Sequence, residues 1–333
     1  IALTGCGRLD PAYATRVEIE CQRAVATALA DAEPCRLVAA EGRCELGVDR
    51  RQRASAHTDP RVGALGWRRA DGTFKAVFLD YAMHPVCLRD TLISADWPGA
   101  AARRLSEALP GKPLAFVCAG ACANVNPPGV GVAPRQMQEW GQRVAETVLP
   151  AFASPAPQPE ADGNAPLQVT ARTITLPGEE WGAADVQRYT ETCLADPAGQ
   201  AEFGHLFRVA AETWQTTLLE RLRRGEPLSL QAELGAIRMG PFLLLTVNAE
   251  IFSRFTALAG TDAPCPVYTV SCANGMVGYV PPLEAYAEGA YEVAWAMFFY
   301  NQPRPRAGGL ELLAAETRRL IAKCPLSVAE ASS

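Results

Sequence analysis

One stretch of the sequence, KAVFLDYAMHPVCLRDTLISADWPG at residues 75–99, constrains the fold more than any other. Lys75–Ala82 is an apolar run rich in residues that favour strands, so it predicts a buried strand. His84-Pro85 ends that strand, because proline cannot donate to a sheet ladder. Asp96 is typical of a helix N-cap, with Pro98 in the first turn. The sequence therefore predicts a strand, a loop with a histidine at its start, and a helix.

A histidine at the end of a buried strand is held rigidly and faces the cleft that the neighbouring loops form. That placement suits a metal ligand or a catalytic base. On the residues alone, His84 is explained equally well as a hydrogen-bonded histidine of the interior. The chain has only 3 histidines, so any metal site must draw on few candidates.

Composition excludes several classes of function. With 333 residues the chain is long enough for one large domain or two modest ones with a sizeable core. The net charge of −5 and the lack of a dense basic run argue against a nucleic-acid partner. No apolar run approaches the about 18 residues that a transmembrane helix needs, and the start of the sequence lacks a signal-peptide pattern.

The 11 cysteines are scattered and contain no CxxC pair, so zinc-finger spacing is absent. Several lie inside apolar runs, such as Cys118 in LAFVCAG, where a thiol behaves as a small hydrophobic group. We therefore predict mostly free, buried thiols and a reducing, cytoplasmic location.

Strand and helix patterns alternate along the chain, which predicts an α/β fold. The predicted strands are Leu37–Gly47, Val62–Trp67, Phe74–Ala82, Pro113–Ala119, Leu167–Leu176, Ser229–Met239, Phe242–Asn248 and Val267–Ser271. The predicted helices are Asp10–Ala32, Trp97–Leu109, Pro134–Phe152, Glu179–Arg224 and Ile251–Leu258. Arg69–Gly72 carries the turn signal of a β-hairpin. The first helix has Asp10 as its N-cap and an apolar stripe for burial: Val17, Ile19, Cys21, Val25 and Leu29.

Polar side chains follow several of the predicted buried strands. His84 ends one strand, Asn124 and Asn126 lie in the loop GACANVNPPGVG after another, and Glu250 follows LLLTVNAE. A further strand leads to Tyr279. Because strand ends converge on one face of an α/β fold, these side chains are candidates for one site. One histidine, one carboxylate and one tyrosine are too few to assign a metal by spacing, so separate structural roles stay open.

The segments FLDYAMHP, ISADWPG, GACANVNP, NAEIF and ANGMVGYVPPLEAYAEGAYE together resemble, in this order, the neutral/alkaline (non-lysosomal) ceramidase family. The resemblance covers nearly the whole chain and is nearest to the N-terminal zinc-dependent catalytic domain of the short bacterial type. It implies mixed β-sheets flanked by helices, in a single catalytic domain over residues 1–333 with an internal loop or linker at 154–165. It also implies an amidohydrolase that cleaves an N-acyl, ceramide-like amide or lipid through a zinc-bound water.

The resemblance extends to individual residues. Family members hold one Zn²⁺ with two histidines, a glutamate and a tyrosine. His84 matches the histidine of the family's HP motif and Tyr279 the tyrosine of its GYV segment. Glu250 matches the glutamate of its GE motif, although Ala249 stands in place of the glycine.

The same resemblance implies catalytic or substrate-binding roles for further side chains. Tyr291 matches a tyrosine that contacts the substrate amide. Arg50 matches the arginine of an NR motif, with Asp49 in place of the asparagine. Without the resemblance, the local sequence indicates only that Arg50 is part of a solvated basic turn. Asn124 and Asn126 stand where the family's GDVSPN loop has aspartate and serine.

One family motif, HTHSGP, has no counterpart in this sequence, and it carries the first ligand histidine. Ile1–Thr4 followed by DPAY resembles the sequence that comes just after that motif. We therefore expect an upstream segment, on this chain or a companion chain, to supply a histidine and to complete a sheet. The alternative is a catalytically inactive protein of the same fold that binds a ligand or a partner chain.

Overall fold

The structure is a computed structural model that describes residues 4, 7, 9–154, 160–161, 167–260 and 265–324, with backbone alone at 160–161. Its strands are β1 (Arg36–Arg43), β2 (Val48–Asp49), β3 (Arg61–Arg68), β4 (Phe74–Tyr81), β5 (Leu114–Cys118), β6 (Val125–Asn126), β7 (Glu160–Ala161), β8 (Leu167–Pro177), β9 (Ser229–Met239), β10 (Phe242–Val247), β11 (Glu250–Ile251), β12 (Val267–Val270) and β13 (Tyr279–Val280). Its helices are α1 (Pro11–Ala30), α2 (Asp96–Ala108), α3 (Pro134–Glu146), α4 (Leu149–Ala153), α5 (Ala183–Ala195), α6 (Pro197–Phe203), α7 (His205–Arg223), α8 (Arg254–Gly260), α9 (Leu283–Glu288), α10 (Tyr291–Ala294), α11 (Ala296–Tyr300) and α12 (Gly309–Ile321).

Two larger sheets face each other at the centre of the molecule. One has the strand order β5-β4-β3-β1-β7 and the other the order β12-β10-β9-β8. Leu65 and Phe78 of the first sheet pack with Phe242 and Tyr268 of the second. Tyr268 lies over Gly63, where a Cβ atom would come within 2.5 Å of the tyrosine ring. Glycine at this position therefore allows the two sheets to approach each other.

Helices cover the outer faces of both sheets. Val77 and Leu79 of β4 belong to a buried cluster with Trp97 of α2 and Val144 of α3. On the other sheet, the outer face of β9 packs with α8 and α12, as Leu313 illustrates. The layers are therefore helix, sheet, sheet, helix, and burial of apolar surface in three successive cores stabilises them. The predicted α/β class with mixed sheets flanked by helices is confirmed.

A separate helical cluster lies next to one end of the sheets. α5, α6, α7 and α11 pack around Phe207, Trp214 and Phe298, all fully buried. Phe203 at the end of α6 contacts Tyr291 of α10 with ring centroids 5.5 Å apart. This cluster therefore forms one wall of the region where several strands end.

Most predicted elements form near their expected positions, with shifts that have local causes. β3 and β4 pair antiparallel across the predicted hairpin turn. The predicted helix Pro134–Phe152 is divided into α3 and α4, and Glu179–Arg224 forms three helices. The N-cap prediction at Asp96 is wrong by one residue, because α2 begins at Asp96 and Ala95 precedes it as the cap. The Asp96 carboxylate instead accepts hydrogen bonds from the N–H groups of Trp97 and Leu88.

The prediction that Pro113–Ala119 forms a buried strand is wrong about burial. β5 is at the edge of its sheet, next to β4 in parallel register. The side chains of Leu114 and Phe116 are therefore 73% and 44% exposed. An apolar run indicates a strand but does not distinguish a central strand from an edge strand.

α1 begins as predicted, because the Asp10 carboxylate accepts hydrogen bonds from the N–H groups of Ala12 and Tyr13. Its apolar stripe is not buried: none of the helix residues is buried within the described part of the chain, and Leu29 is 73% exposed. Amphipathic spacing shows which face a helix can bury, and it does not identify what covers that face.

Other predictions fall wholly or partly outside the described residues. Of the loop at 154–165, the structure describes Ser154 and the two-residue strand β7, which pairs with β1. Of the segment Ile1–Thr4 it describes Thr4, whose N–H donates to the Phe299 carbonyl. Ten cysteines are described, and all of them are free thiols. No described helix combines the length and the hydropathy needed to cross a membrane.

Asp80, at the end of β4, gives the fold a predicted pH dependence. Its Oδ2 accepts a hydrogen bond from the Thr269 N–H at 2.9 Å, while its Oδ1 is buried without a partner within the described ranges. Burial raises the pKa of this carboxyl from 3.8 to about 7. The folded protein therefore retains the proton at pH values where the unfolded chain releases it, so stability falls as pH rises from about 4 to about 7.

We expect Asp80→Asn to remove this dependence. Relative to the variant, the wild-type free energy of unfolding should fall by about 2 kcal/mol between pH 5 and pH 7, since one pKa unit corresponds to about 1.4 kcal/mol. Urea unfolding of both proteins at pH 5, 6 and 7 measures the difference between their free energies of unfolding. Other titrating groups are the same in both proteins, so their contributions cancel in this difference. Parallel stability curves for the two proteins would contradict the assignment.

Candidate functional site

Two short strand pairs bring distant parts of the sequence together at one end of the sheets. In the antiparallel pair β2–β6, Val48 lies opposite Asn126. This pairing places Arg50, the residue after β2, beside the β6 loop, where its N–H donates to the Asn124 carbonyl. In the parallel pair β11–β13, Glu250 lies opposite Tyr279. His84, three residues after β4, is tied to the first pair because its N–H donates to the Val125 carbonyl.

His84 and Glu250 are in direct contact. The His84 Nε2 is 3.2 Å from the Glu250 Oε2, and its Nδ1 is 3.0 Å from the Val125 carbonyl oxygen. The carbonyl can only accept, so Nδ1 carries a hydrogen and Nε2 is directed at the carboxylate. Burial alone would lower the pKa of His84, but Cys122 and Glu250 outweigh burial and raise it. A raised pKa means that the ring also holds a proton on Nε2. A metal that binds Nε2 would have to displace that proton.

Glu250 is held by two tyrosines as well as by the histidine. The Tyr300 hydroxyl donates to Glu250 Oε1. Tyr279, opposite Glu250 in the β11–β13 pair, is close enough for its phenol to help lower the pKa of the carboxylate. Burial would raise the pKa of Glu250, but the hydrogen bond and charge of His84, with the two tyrosines, lower it below its usual value. The carboxylate is therefore ionised at neutral pH and is fixed from several sides.

Arg50 is the cation of the site. Its Nε donates to the Glu292 Oε1 at 2.7 Å, and its NH2 group donates to the Tyr279 hydroxyl at 3.3 Å. Its guanidinium lies 5.6 and 5.5 Å from the ring centroids of Tyr279 and Tyr291. Burial would lower the pKa of Arg50, and its interactions with the Tyr279 hydroxyl and the Glu292 carboxylate raise it instead. The guanidinium is thus permanently charged and oriented by one buried carboxylate and two aromatic rings.

The two asparagines differ in their placement. Asn126 lines the cavity, and its Oδ1 is buried with no hydrogen-bond partner in the described structure. Asn124 is 1% exposed and lies beneath the cavity. Its amide donates to Asp49 Oδ2 and the His57 carbonyl and accepts from the Ser253 N–H. Asn126 is therefore available to a ligand, whereas Asn124 joins three segments of the supporting structure.

These side chains line a cavity of about 660 Å³, a size typical of small-molecule sites. His84, Glu250, Tyr279, Arg50 and Asn126 share it with an apolar wall of Val86, Leu88, Val130 and Phe203. Tyr291, the remaining predicted substrate-binding residue beside Arg50, also lines it. A polar end and an apolar wall suit a ligand that has a polar head and a hydrocarbon part.

The donor set can be tested against a zinc ion. Two ligands with bonds of about 2.0–2.2 Å lie roughly 3.3 Å apart in a tetrahedral site, and the His84 Nε2 to Glu250 Oε2 separation is 3.2 Å. The Tyr279 phenol reaches the same carboxylate. Within the described ranges, no group of three or more His, Cys, Asp and Glu side chains is placed to hold a metal. The separation of His84 and Glu250 is therefore compatible with a shared zinc ion, and Tyr279, opposite Glu250 in the β11–β13 pair, is the third candidate ligand.

Comparison with known proteins identifies solved structures with a similar fold. Neither the protein-family models nor the curated protein sequences give a match. Among solved structures, the neutral ceramidase from Pseudomonas aeruginosa matches with a TM-score of 0.57 and 16% identity, over 89% of this chain and 54% of that chain. A ceramidase complexed with C2 matches with a TM-score of 0.60 and 16% identity, over 89% and 55%. The fold is ceramidase-like. The chain spans about half the length of each of these structures.

Sequence patterns assigned no role to three residues that support this site. Tyr300 belongs to an apolar helical run and Arg51 to a basic turn, and Glu292 ends the segment ANGMVGYVPPLEAYAEGAYE without an assigned role. In the structure Tyr300 holds Glu250, and Glu292 holds Arg50. Arg51, with 3% of its side chain exposed, pairs with Asp49 and Glu288 and anchors the loop that carries Arg50.

We expect Tyr300→Phe to weaken zinc binding about 10- to 100-fold, the usual cost of losing a group that orients a metal ligand. The ring packs against Gly278 and should remain in place, so the free energy of unfolding should change little. Competition with a chromophoric chelator measures the affinity. Tyr286→Phe is the matched control, because its hydroxyl donates to the Pro305 carbonyl away from the site. Equal affinities in all three proteins would show that Tyr300 does not orient Glu250.

Proposed function

We propose that the protein is a zinc-dependent amidohydrolase that cleaves an N-acyl, ceramide-like amide. The observation that carries this proposal is the meeting of His84, Glu250, Tyr279 and Arg50 at one cavity within a ceramidase-like fold. The two solved relatives are ceramidases by name, and that activity is extended to this chain only as part of the proposal.

His84 Nε2, Glu250 Oε2 and the Tyr279 hydroxyl would hold the zinc. Zinc, when bound, supplies the Lewis acidity that polarises an amide carbonyl and makes a water acidic enough to act near neutral pH. We propose that a further histidine is supplied from outside this sequence, such as by a companion chain, because the other histidines of the sequence, His57 and His205, do not line the cavity.

The remaining polar side chains would act on the substrate directly. Arg50 and Tyr291 would donate to the carbonyl oxygen as it becomes negatively charged, because both line the cavity and Arg50 is already oriented by Glu292. Such donors are typically worth about 2.7–4 kcal/mol each in the transition state. Asn126, with its free buried Oδ1, would accept from the amide N–H. Asn124 would act at one remove, by fixing the loop that carries Asn126.

The apolar wall favours an acyl group. The same cavity that holds the polar side chains is also lined by Val86, Leu88, Val130 and Phe203. Burial of a hydrocarbon chain there contributes about 0.8 kcal/mol per CH₂ group. An N-acyl amide with a chain of moderate length therefore matches both parts of the cavity.

A second candidate is a protein of this fold that binds a ligand or a partner chain without catalysis. The observation in its favour is that the described residues offer zinc one histidine and one carboxylate with a tyrosine, fewer strong ligands than hydrolytic zinc sites commonly have.

The test is hydrolysis of a panel of N-acyl amides, including a medium-chain ceramide, by the intact protein purified from its source. Metal content is measured on the same sample, and activity is followed after chelation and after zinc is restored. Loss and recovery of hydrolysis with zinc support the proposal. Stoichiometric zinc with no cleavage of any amide would favour the binding protein instead.

A further inference from the structure

The charged side chains around the cavity fall into two groups. Those at its polar end are paired: Arg50 with Glu292, Arg51 with Asp49 and Glu288, and His84 with Glu250. Two charges at the mouth, Arg89 and Glu202, form no ion pair in the described part of the chain. Both are exposed, and both line the cavity.

Arg89 and Glu202 belong to different walls. Arg89 follows Val86 and Leu88 in the loop that starts at His84, and it lies against Gly131. Its neighbour Asp90 is engaged locally, since its carboxylate accepts the Leu92 N–H at 2.9 Å. Glu202 precedes Phe203 at the end of α6 and is close enough to Tyr291 for its charge to raise the pKa of that phenol. The mouth therefore presents a free cation on one wall and a free anion on the other.

A neutral sphingoid headgroup offers these two charges only hydroxyl hydrogen bonds and no opposite charge, whereas a guanidinium is well suited to bind a carboxylate with two parallel hydrogen bonds. We infer that the amine half of the substrate carries a carboxylate, so that the protein hydrolyses N-acyl amino acids with a carboxylate bound by Arg89. This inference rests on the proposed amidohydrolase function and adds the substrate class.

The products explain why the carboxylate belongs to the amine half. In hydrolysis the oxygen of water bonds to the carbonyl carbon and the C–N bond breaks. The nitrogen takes up the two protons of that water, so the acyl half leaves as a carboxylate and the amine half as an ammonium. The amine product is then a zwitterion with an ammonium and a carboxylate, which matches Glu202 and Arg89 together. A carboxylate on the acyl chain would match Arg89 alone and leave Glu202 without a role.

The test compares matched substrates. N-lauroylglycine is paired with N-lauroylethanolamine, and N-lauroyl-6-aminohexanoate with N-lauroyl-6-aminohexanol, so each pair differs in the carboxylate while the acyl chain is constant. We expect kcat/KM to favour the acid about tenfold in at least one pair. The preference should shrink as salt rises from 0.05 to 0.5 M, because ions screen charges at an exposed mouth.

Substitutions show which residues cause the preference for the acid substrates. Arg89→Gln should reduce the acid-to-neutral ratio of kcat/KM about tenfold, whereas Arg103→Gln, on the exposed surface of α2 and outside the cavity, should leave the ratio at the wild-type value. Glu202→Gln should weaken inhibition by the free amino acid product severalfold.

The outcomes separate this inference from the proposed function. Hydrolysis of the neutral amides with no preference for acids, or a preference that Arg89→Gln retains, overturns the inference and leaves the amidohydrolase proposal standing. If no amide is cleaved, the proposed function fails, and equilibrium binding of the same four compounds decides the inference. Tighter binding of the acids that depends on Arg89 then supports carboxylate recognition, and equal binding overturns it.

Discussion

Replacement of His84 by alanine is expected to remove bound zinc and amide hydrolysis together. His84 supplies the imidazole nitrogen, 3.2 Å from Glu250, and its loss leaves a carboxylate and a phenol as the described donors. Even groups that orient a metal ligand are worth about 10- to 100-fold in affinity, so loss of the ligand itself should exceed about 100-fold. Mass-spectrometric metal analysis after dialysis against buffered zinc measures the first effect, and cleavage of an N-acyl amide measures the second.

His205→Ala is the matched control for this experiment. His205 is exposed at the start of α7 and does not line the cavity, so its replacement should leave zinc content and turnover at wild-type values. Unchanged zinc in His84→Ala would mean that the metal is held elsewhere. Loss of zinc with retained hydrolysis would show that the metal is not used in the reaction.

Replacement of Arg50 by methionine is expected to lower kcat by about 10²–10³, the effect typical of losing one donor to a developing oxyanion. The variant should also be less stable by about 3–5 kcal/mol, because it leaves the Glu292 carboxylate buried without its partner. Glu292 has 1% of its side chain exposed, and its Oε2 already lacks a hydrogen-bond partner in the described structure.

A double variant separates the two effects of Arg50. In Arg50→Met with Glu292→Leu, the buried charge and its partner are both replaced by apolar groups, which often restores stability. We expect the free energy of unfolding to return towards the wild-type value while kcat stays low. Recovery of kcat together with stability would show that Arg50 supports the fold and does not act on the substrate.

Local sequence patterns predicted most of the elements because the forces that form them act over a few residues. The Asp10 carboxylate caps α1 through N–H groups two and three residues along, and the turn at residues 69–72 pairs strands adjacent in sequence. Burial was predicted less well. β5 and α1 have apolar residues in the expected pattern, yet β5 is an edge strand and α1 has no buried residue, because burial depends on distant segments.

The site shows the same division. The candidates His84, Glu250 and Tyr279 were named from strand ends and from a resemblance, and the structure brings their side chains together. The sequence assigned no role to the residues that support the site. Tyr300 holds Glu250, Glu292 holds Arg50, and Arg51 pairs with Glu288. These partners lie far apart in the sequence, so only the folded chain brings them together. By its local pattern alone, Arg50 is typical of a solvated turn. The pairing of β2 with β6 instead places it next to the buried carboxylate of Glu292, 242 residues away in the sequence.

The sequence by itself therefore determined the α/β alternation of elements, the hairpin turn and the strand ends at which polar side chains occur. These features depend on backbone propensities, capping and hydrophobic period, all of which are local. The tertiary structure alone decided which strands lie at edges, which ionisable groups are paired and which are left free at the cavity mouth. Ion pairing and desolvation depend on groups that meet only when the two sheets and the helical cluster pack together. These groups are far apart in the sequence, so local sequence patterns cannot predict their contacts.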